Sequence, residues 1–164
     1  MTSADASHRR SQTDRELHIT RTVAAPRELV WRAWTDPAQL AHWYGPAGCD
    51  LLAPRFDVRP GGVYRCGYRF ENGEFWLRGV YREITPTERL VFTHGWENES
   101  GEVAHDTLVT VTFTEQDSKT TFVFHQAIFE SVENRDSHGE GWGEAFDQLE
   151  ELLLRAEKPL GDRQ

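Results

Sequence analysis

"ELVWRAWTDPAQLAHWYGP", Glu28 to Pro46, carries three of the six tryptophans in the chain. Leu29, Val30, Ala33 and Trp34 recur at helical spacing, with Pro26 at the expected first helical position. Asp36-Pro37 interrupts that pattern and restarts it, so the stretch predicts two short helices, the second ending at Gly45-Pro46. Trp31 and Trp34 stand about 300° apart by turn count, so they cannot both point straight inward. Trp34 is expected in the core, Trp31 at its margin, and Trp43 at the mouth of any cavity, as a lid.

On the N-terminal side, "ELHITRTVAA" sets Leu17, Ile19, Arg21 and Val23 on one face and His18, Thr20 and Thr22 on the other. Period two means a strand. On the C-terminal side, "CDLLAPRFDV", "VYRCGYRF", "FWLRGVYREI", "RLVFTHGW", "TLVTVTFTE" and "KTTFVFHQAIF" read as six more strands. The clusters "RPGG", "ENGE", "TPTE", "ENESGE" and "EQDS" separate them as turns. Such regular, short spacing predicts antiparallel hairpins in a meander. The last segment is helical, with Ser131 as its cap and Trp142, Phe146, Leu149 and Leu153 on one stripe. Gly139, Gly141 and Gly143 each cost about 1 kcal/mol against alanine inside a helix, so its first half is expected to be kinked or partly open.

The predicted class is α+β: one curved antiparallel sheet of seven strands, two short helices, and one long C-terminal helix. A long sheet wrapped around a single helix cannot close fully on it, and a cavity between the two is the expected consequence. A chain of 164 residues suits one domain. Residues 1–15 are expected to be a disordered tail, 16–157 the folded domain and 158–164 a C-terminal tail.

A net charge of −9 lacks the basic footprint of a nucleic-acid binder. No segment approaches the length of a membrane span, and the first fifteen residues hold no apolar run of the signal-peptide kind, so a cytoplasmic location is expected. Cys49 and Cys66 fall too far apart along a hairpin centred on "RPGG" to bond, and free thiols are expected. No P-loop, dinucleotide fingerprint or nucleophile motif is present, so no cofactor is expected. The seven histidines show neither i, i+4 pairing nor an H-x-E-x-x-H pattern, so no metal site is expected either.

Strand alternation then names the inner face. Leu90, Phe92, His94 and Trp96 share one side of their strand, as do Phe122, Phe124 and Gln126, with His125 left outside. Val109, Val111 and Phe113 form a third set, and Tyr64, Cys66 and Tyr68 a fourth. The strand at 75–84 is ambiguous; Leu77 and Tyr81 are favoured inward, and a bulge would invert them. Aromatic walls with few convergent polar groups suit a small-molecule pocket. The candidate ligand-binding residues are therefore Arg21, Trp43, Tyr64, Tyr68, Phe92, His94, Trp96, Val109, Phe122, Gln126, Trp142 and Phe146. Four of them also have a simpler structural reading. For His94 it is a core histidine with its hydrogen bonds met; for Arg21, an ion pair with a carboxylate; for Trp142 and Phe146, helix-to-sheet packing.

Taken together, "ITRTVAAPRELVWRAWTDPAQLAHWYGP", "FDVRPGGVYR", "GVYREITPTERLVFT", "LVTVTFTE" and "HGEGWGEAFDQLEELL" resemble the SRPBCC superfamily, in this order, from about Leu17 to Ala156. Within it the chain resembles the bacterial homologues of the C-terminal domain of the heat-shock-protein-ninety ATPase activator. The resemblance implies a START-like, birch-pollen-allergen-like helix-grip fold with a ligand cavity between sheet and helix. The leading expectation is a non-catalytic domain that binds a hydrophobic or aromatic small molecule. A second is an enzyme of the cyclase or hydratase kind, with His94 as acid or base and Tyr68 as donor. A third is a co-chaperone-like interaction module with a chaperone partner. Unpaired edge strands leave a homodimer open.

Overall fold

The computed structural model describes residues 14–156. β1 (Leu17–Val23) leads into two short helices, α1 (Arg27–Thr35) and α2 (Pro37–Trp43). Six strands follow: β2 (Asp50–Phe56), β3 (Val63–Phe70), β4 (Gly73–Thr85), β5 (Arg89–Trp96), β6 (Thr107–Gln116) and β7 (Lys119–Ala127). The chain ends in α3 (Val132–Ala156). The strands form one antiparallel sheet in the order β1-β7-β6-β5-β4-β3-β2. From β2 to β7 it is a simple meander; only β1 crosses over, to close the edge beside β7. The fold is the expected α+β helix-grip arrangement, with all three helices on the concave face. The expected tails lie largely outside the described residues. No helix among the described residues is long and apolar enough to cross a membrane.

Local chemistry explains the helical end. Pro26 flanks α1 in extended conformation, one residue earlier than the sequence suggested, and its carbonyl accepts from the Leu29 and Val30 amides. Asp36 then caps α2, its Oδ1 accepting from the Ala38 amide at 3.1 Å while Pro37 opens the helix. Trp34 is buried among Trp43, Phe113, Phe122 and Phe146, and Trp31 lies half-buried, edge-on to Phe113. Trp43 departs from its expected place at a cavity mouth. Its indole N–H donates to the Ala33 carbonyl at 2.9 Å and its ring packs on Trp34 and Tyr44, so it is 1% exposed. The indole makes its hydrogen bond inside the helical pair, and burial follows.

α3 is continuous through Gly139, Gly141 and Gly143, where a kink was expected. The reason is the balance of terms. Three glycines cost about 3 kcal/mol of helix propensity. Burying Trp142, Phe146, Leu149 and Leu153 against the sheet contributes about 1.5–3 kcal/mol each. Packing therefore decides the helix. Ser131 caps it as expected, its Oγ accepting from the Asn134 amide at 3.0 Å.

The inner-face assignments hold along the sheet. Leu77 and Tyr81 are buried, as are Leu90, Phe92, His94, Val109, Val111, Phe113, Phe122, Phe124 and Gln126. β4 does contain a bulge, between Tyr81 and Glu83, but it falls beyond Tyr81 and leaves that residue inward. Next to it the ladder with β5 is interrupted between Arg78 and Tyr81. There the Val80 amide donates to the Thr93 hydroxyl at 2.8 Å, and the freed Thr93 carbonyl accepts from the Tyr64 hydroxyl at 2.9 Å. Gly79 makes this possible: a Cβ there would stand 2.0 Å from the Thr93 carbonyl oxygen and 2.4 Å from the Tyr64 ring. Both cysteines are free, Cys66 buried and Cys49 half-buried.

Candidate functional site

β3, β4 and β5 do not close on the first half of α3. They leave a cavity of about 370 Å³. Its sheet wall comes from alternate residues, Tyr68 and Phe70 on β3, Phe75 and Leu77 on β4, His94 and Trp96 on β5. The register sets Tyr68 opposite Phe75 and Leu77 opposite Trp96, which gathers the rings at one end of the sheet. The helical wall is a stripe at i, i+4, i+7, i+8 and i+11: Asn134, His138, Gly141, Trp142 and Ala145, with Ser137 at the rim. Tyr44, Gly45 and Pro46 close the third side. Gly45 belongs here sterically, since its φ is +121° and a Cβ would lie 2.5 Å from the Tyr68 ring. The lining includes no Asp, Glu, Lys or Arg.

A chain of hydrogen bonds sets the back wall. The Trp142 indole donates to Gln126 Oε1 at 2.8 Å, Gln126 Nε2 donates to the Thr107 hydroxyl at 2.7 Å, and that hydroxyl donates to the His94 carbonyl at 2.7 Å. The indole N–H can only donate and the His94 carbonyl can only accept, so the two ends set the sense of the amide and the hydroxyl between them. The chain joins α3 to β7, β6 and β5 and holds the Trp142 ring against Phe124 and His94. A second chain crosses the cavity rim. The Trp96 indole donates to His138 Nε2 at 2.9 Å, which leaves Nδ1 as the protonated nitrogen facing the Asn134 carbonyl at 2.8 Å. Burial lowers the His138 pKa, partly opposed by its bond to Asn134.

His94 stands between these two chains. Its ring lies 5.3 Å from Trp142, 5.6 Å from His138 and 6.1 Å from Trp96, centroid to centroid. It is 4% exposed, and neither Nδ1 nor Nε2 has a protein hydrogen-bond partner. Burial, with His138 adding to it, pushes its pKa down to about 3, so the imidazole is neutral. Among the described residues, the only other buried side-chain nitrogen or oxygen without a partner is the indole nitrogen of Trp34. Tyr68 is also neutral, its pKa raised well above the ordinary value by burial, and its hydroxyl accepts from Cys66 Sγ at 3.4 Å.

Of the twelve residues expected to meet a ligand, the structure brings Tyr68, His94, Trp96 and Trp142 to the cavity. Gln126 sits behind Trp142, with both ends of its amide used in the relay. Tyr64 is drawn to Thr93 across Gly79. Phe92, Val109, Phe122 and Phe146 belong to the packed core, and Trp43 to the helical pair. Arg21 reaches the surface beside α3, where Nη1 meets Asp147 at 2.9 Å and Glu150 at 3.2 Å. An unpaired guanidinium inside the sheet would be costly, and two carboxylates on α3 draw it outward. The sequence reading missed Tyr44, Phe70, Phe75, Asn134 and His138. Extending the Tyr64-Cys66-Tyr68 alternation by one step reaches Phe70, and extending the Trp142 stripe back by one turn reaches His138.

A seven-stranded sheet that grips a C-terminal helix around a side cavity defines the chain as a helix-grip domain. More particularly, the chain belongs to the AHSA1 family, "Activator of Hsp90 ATPase homolog 1-like protein", which matches residues 24–154. Solved structures agree. A Chromobacterium violaceum protein is 26% identical with a TM-score of 0.75, over 85% of this chain and 96% of its own. A Nitrosomonas europaea protein is 28% identical with a TM-score of 0.72, over 87% of this chain and 96% of its own. The AHSA1 protein of Silicibacter pomeroyi is 23% identical with a TM-score of 0.77, over 85% and 99%, and shows a likeness of fold alone. No curated protein is similar enough to count as a match.

Proposed function

We propose that this protein binds a neutral, largely apolar and aromatic small molecule in the cavity between β3–β5 and α3, with a hydrogen-bonding group of the ligand directed at His94. The observation that carries this reading is His94: a buried imidazole in a cavity wall with no protein partner at either nitrogen. A buried polar group left unmatched costs about 1–3 kcal/mol. A ligand that supplies one donor or acceptor to the ring recovers part of that cost. The volume lies at the lower end of the range for small-molecule pockets. Without a charged residue in the lining, an ionic ligand would lose its hydration uncompensated, so a neutral one is favoured. Aromatic rings suit Tyr68, Phe70, Phe75, Trp96 and Trp142, which can stack or meet them edge-on.

The alternative of acid–base turnover has less support. A group that protonates only near pH 3 is a weak base at neutral pH. A chaperone partner, which the family description brings to mind, would need an apolar docking face. Leu108 and Val123, exposed on the convex side, stand four register positions apart, about 13 Å, on neighbouring strands, and the exposed Val63 lies on β3, so the large exposed apolar residues are spread over the sheet. A cytoplasmic setting suits the free thiols.

Native mass spectrometry of freshly purified protein and titration with neutral phenols and indoles, followed by tryptophan fluorescence, test the reading. Binding is expected to quench emission from Trp96 and Trp142. His94→Phe is expected to weaken binding about tenfold, the worth of one hydrogen bond. Absence of any bound or binding molecule, or equal affinity in His94→Phe, would overturn it.

A further inference from the structure

A second group of chemically capable side chains lies on the opposite face of the sheet, at its β1–β7 edge. His18 points to the convex side of β1, and Glu16, just before the strand, reaches the same side. In the register of β1 with β7, His18 stands directly opposite His125, whose neighbours Phe124 and Gln126 face inward. The imidazoles of His18 and His125 lie 4.5 Å apart, centroid to centroid, tilted by 35°. Glu16 Oε1 is 2.7 Å from His125 Nε2. One ligand atom from each of the three residues falls within 4.8 Å of the others.

We propose that Glu16, His18 and His125 bind a divalent transition-metal ion. Two imidazoles and one carboxylate are donors of borderline softness, suited to zinc, nickel or copper(II) rather than to calcium or magnesium. Such ions hold nitrogen and oxygen ligands at about 2.0–2.2 Å, which places neighbouring ligand atoms about 3.3 Å apart in a tetrahedron. Reaching that value takes side-chain adjustment alone: Glu16 Oε1 and His125 Nε2 part from 2.7 Å, and the exposed His18 ring turns toward them. The backbone is already set. β1 is paired with β7 along its whole length, and the Phe129 amide donates to the Arg15 carbonyl at 2.9 Å, anchoring the chain just before Glu16. Only side-chain rotamers need to be ordered, so binding carries little conformational cost. Three protein ligands leave a coordination position to solvent. The ion would tie the first strand to the last, across the one connection of the sheet that is not a hairpin.

The test is isothermal titration of zinc chloride into the full chain, with thermal melts at matched metal concentrations. The expected result is one equivalent bound with micromolar or tighter affinity and a melting temperature that rises with zinc. His18→Ala and His125→Ala are each expected to weaken that binding at least ~10-fold and to remove the thermal shift. Cys49→Ser and His42→Ala, which lie elsewhere, are expected to leave both unchanged. Because His18 is exposed, His18→Ala retains the metal-free melting temperature, which separates lost binding from lost folding. Wild-type protein that binds no zinc below ~100 μM, or His18→Ala and His125→Ala variants that bind as tightly as the wild type, would overturn the proposal.

Discussion

Acidification is expected to destabilise this protein through His94. The ring is neutral in the folded state with a pKa pushed down to about 3, against an ordinary value of 6.5. When a base has a depressed pKa in the folded state, the unfolded chain takes up a proton that the folded chain refuses. Stability is therefore full above about pH 6.5 and falls as the pH drops toward 3. Each pH unit in that window costs about 1.4 kcal/mol, so the contribution at pH 5.0 is a loss of about 2 kcal/mol relative to pH 7.5. His138, whose pKa is lowered mainly by burial, adds in the same direction. Urea unfolding followed by tryptophan fluorescence at the two pH values measures the loss. His94→Phe keeps a ring among Trp96, His138 and Trp142 and removes the titrating group. The variant is expected to lose about 2 kcal/mol less than the wild type over this interval, and to be no less stable at pH 7.5, since it also removes two unmatched nitrogens. Carboxylates titrate in both proteins and cancel in the comparison. Parallel losses in wild type and variant would show that His94 is not the buried neutral group described here.

Gln126→Leu cuts the relay from Trp142 to the His94 carbonyl and is expected to cost about 1–3 kcal/mol in chemical denaturation, because the Trp142 indole N–H is left buried without an acceptor. Gly79→Ala drives a methyl group against the Thr93 carbonyl and the Tyr64 ring and is expected to cost about 1–3 kcal/mol or more, read as a lower melting temperature. Arg21→Ala is expected to change stability by less than about 1 kcal/mol, because its partner Asp147 is well exposed, Glu150 is partly so, and salt screens the pairs. A larger loss would mean that the packing of Arg21 over Phe146 matters more than its charge.

Much of the architecture was legible because its signals are local. Period-two alternation marked most of the strands, and clusters of turn-forming residues separated those that follow α2. Asp36-Pro37 marked the break between α1 and α2, since a side-chain cap and a proline act within three residues of themselves. The inward sets on β1, β3, β5, β6 and β7 followed from the pleat, whereas the facing of β4 was left open. Trp34 was assignable to the core because helical geometry allows one indole of the pair to point straight in. The glycines of α3 were read locally too, and there the local term was outweighed by burial of the stripe from Trp142 to Leu153.

The candidate sites were less legible. Facing inward is a property of one strand, but lining a cavity depends on whether the opposite wall arrives. Phe92, His94 and Trp96 share one face of β5, yet only His94 and Trp96 meet empty space, because α3 packs closely at Phe146 and stands off at Gly141. Gln126 carries the right chemistry for a ligand contact, but the Trp142 indole reaches its amide first. The Glu16, His18 and His125 cluster joins residues more than a hundred positions apart, so no spacing rule along the chain could find it. The sequence alone determined the elements, their order and their buried faces, because periodicity, capping and turn chemistry act over a few residues. Tertiary structure alone decided which buried groups are satisfied and which are left facing a cavity, because that depends on the register and distance between elements far apart in the chain.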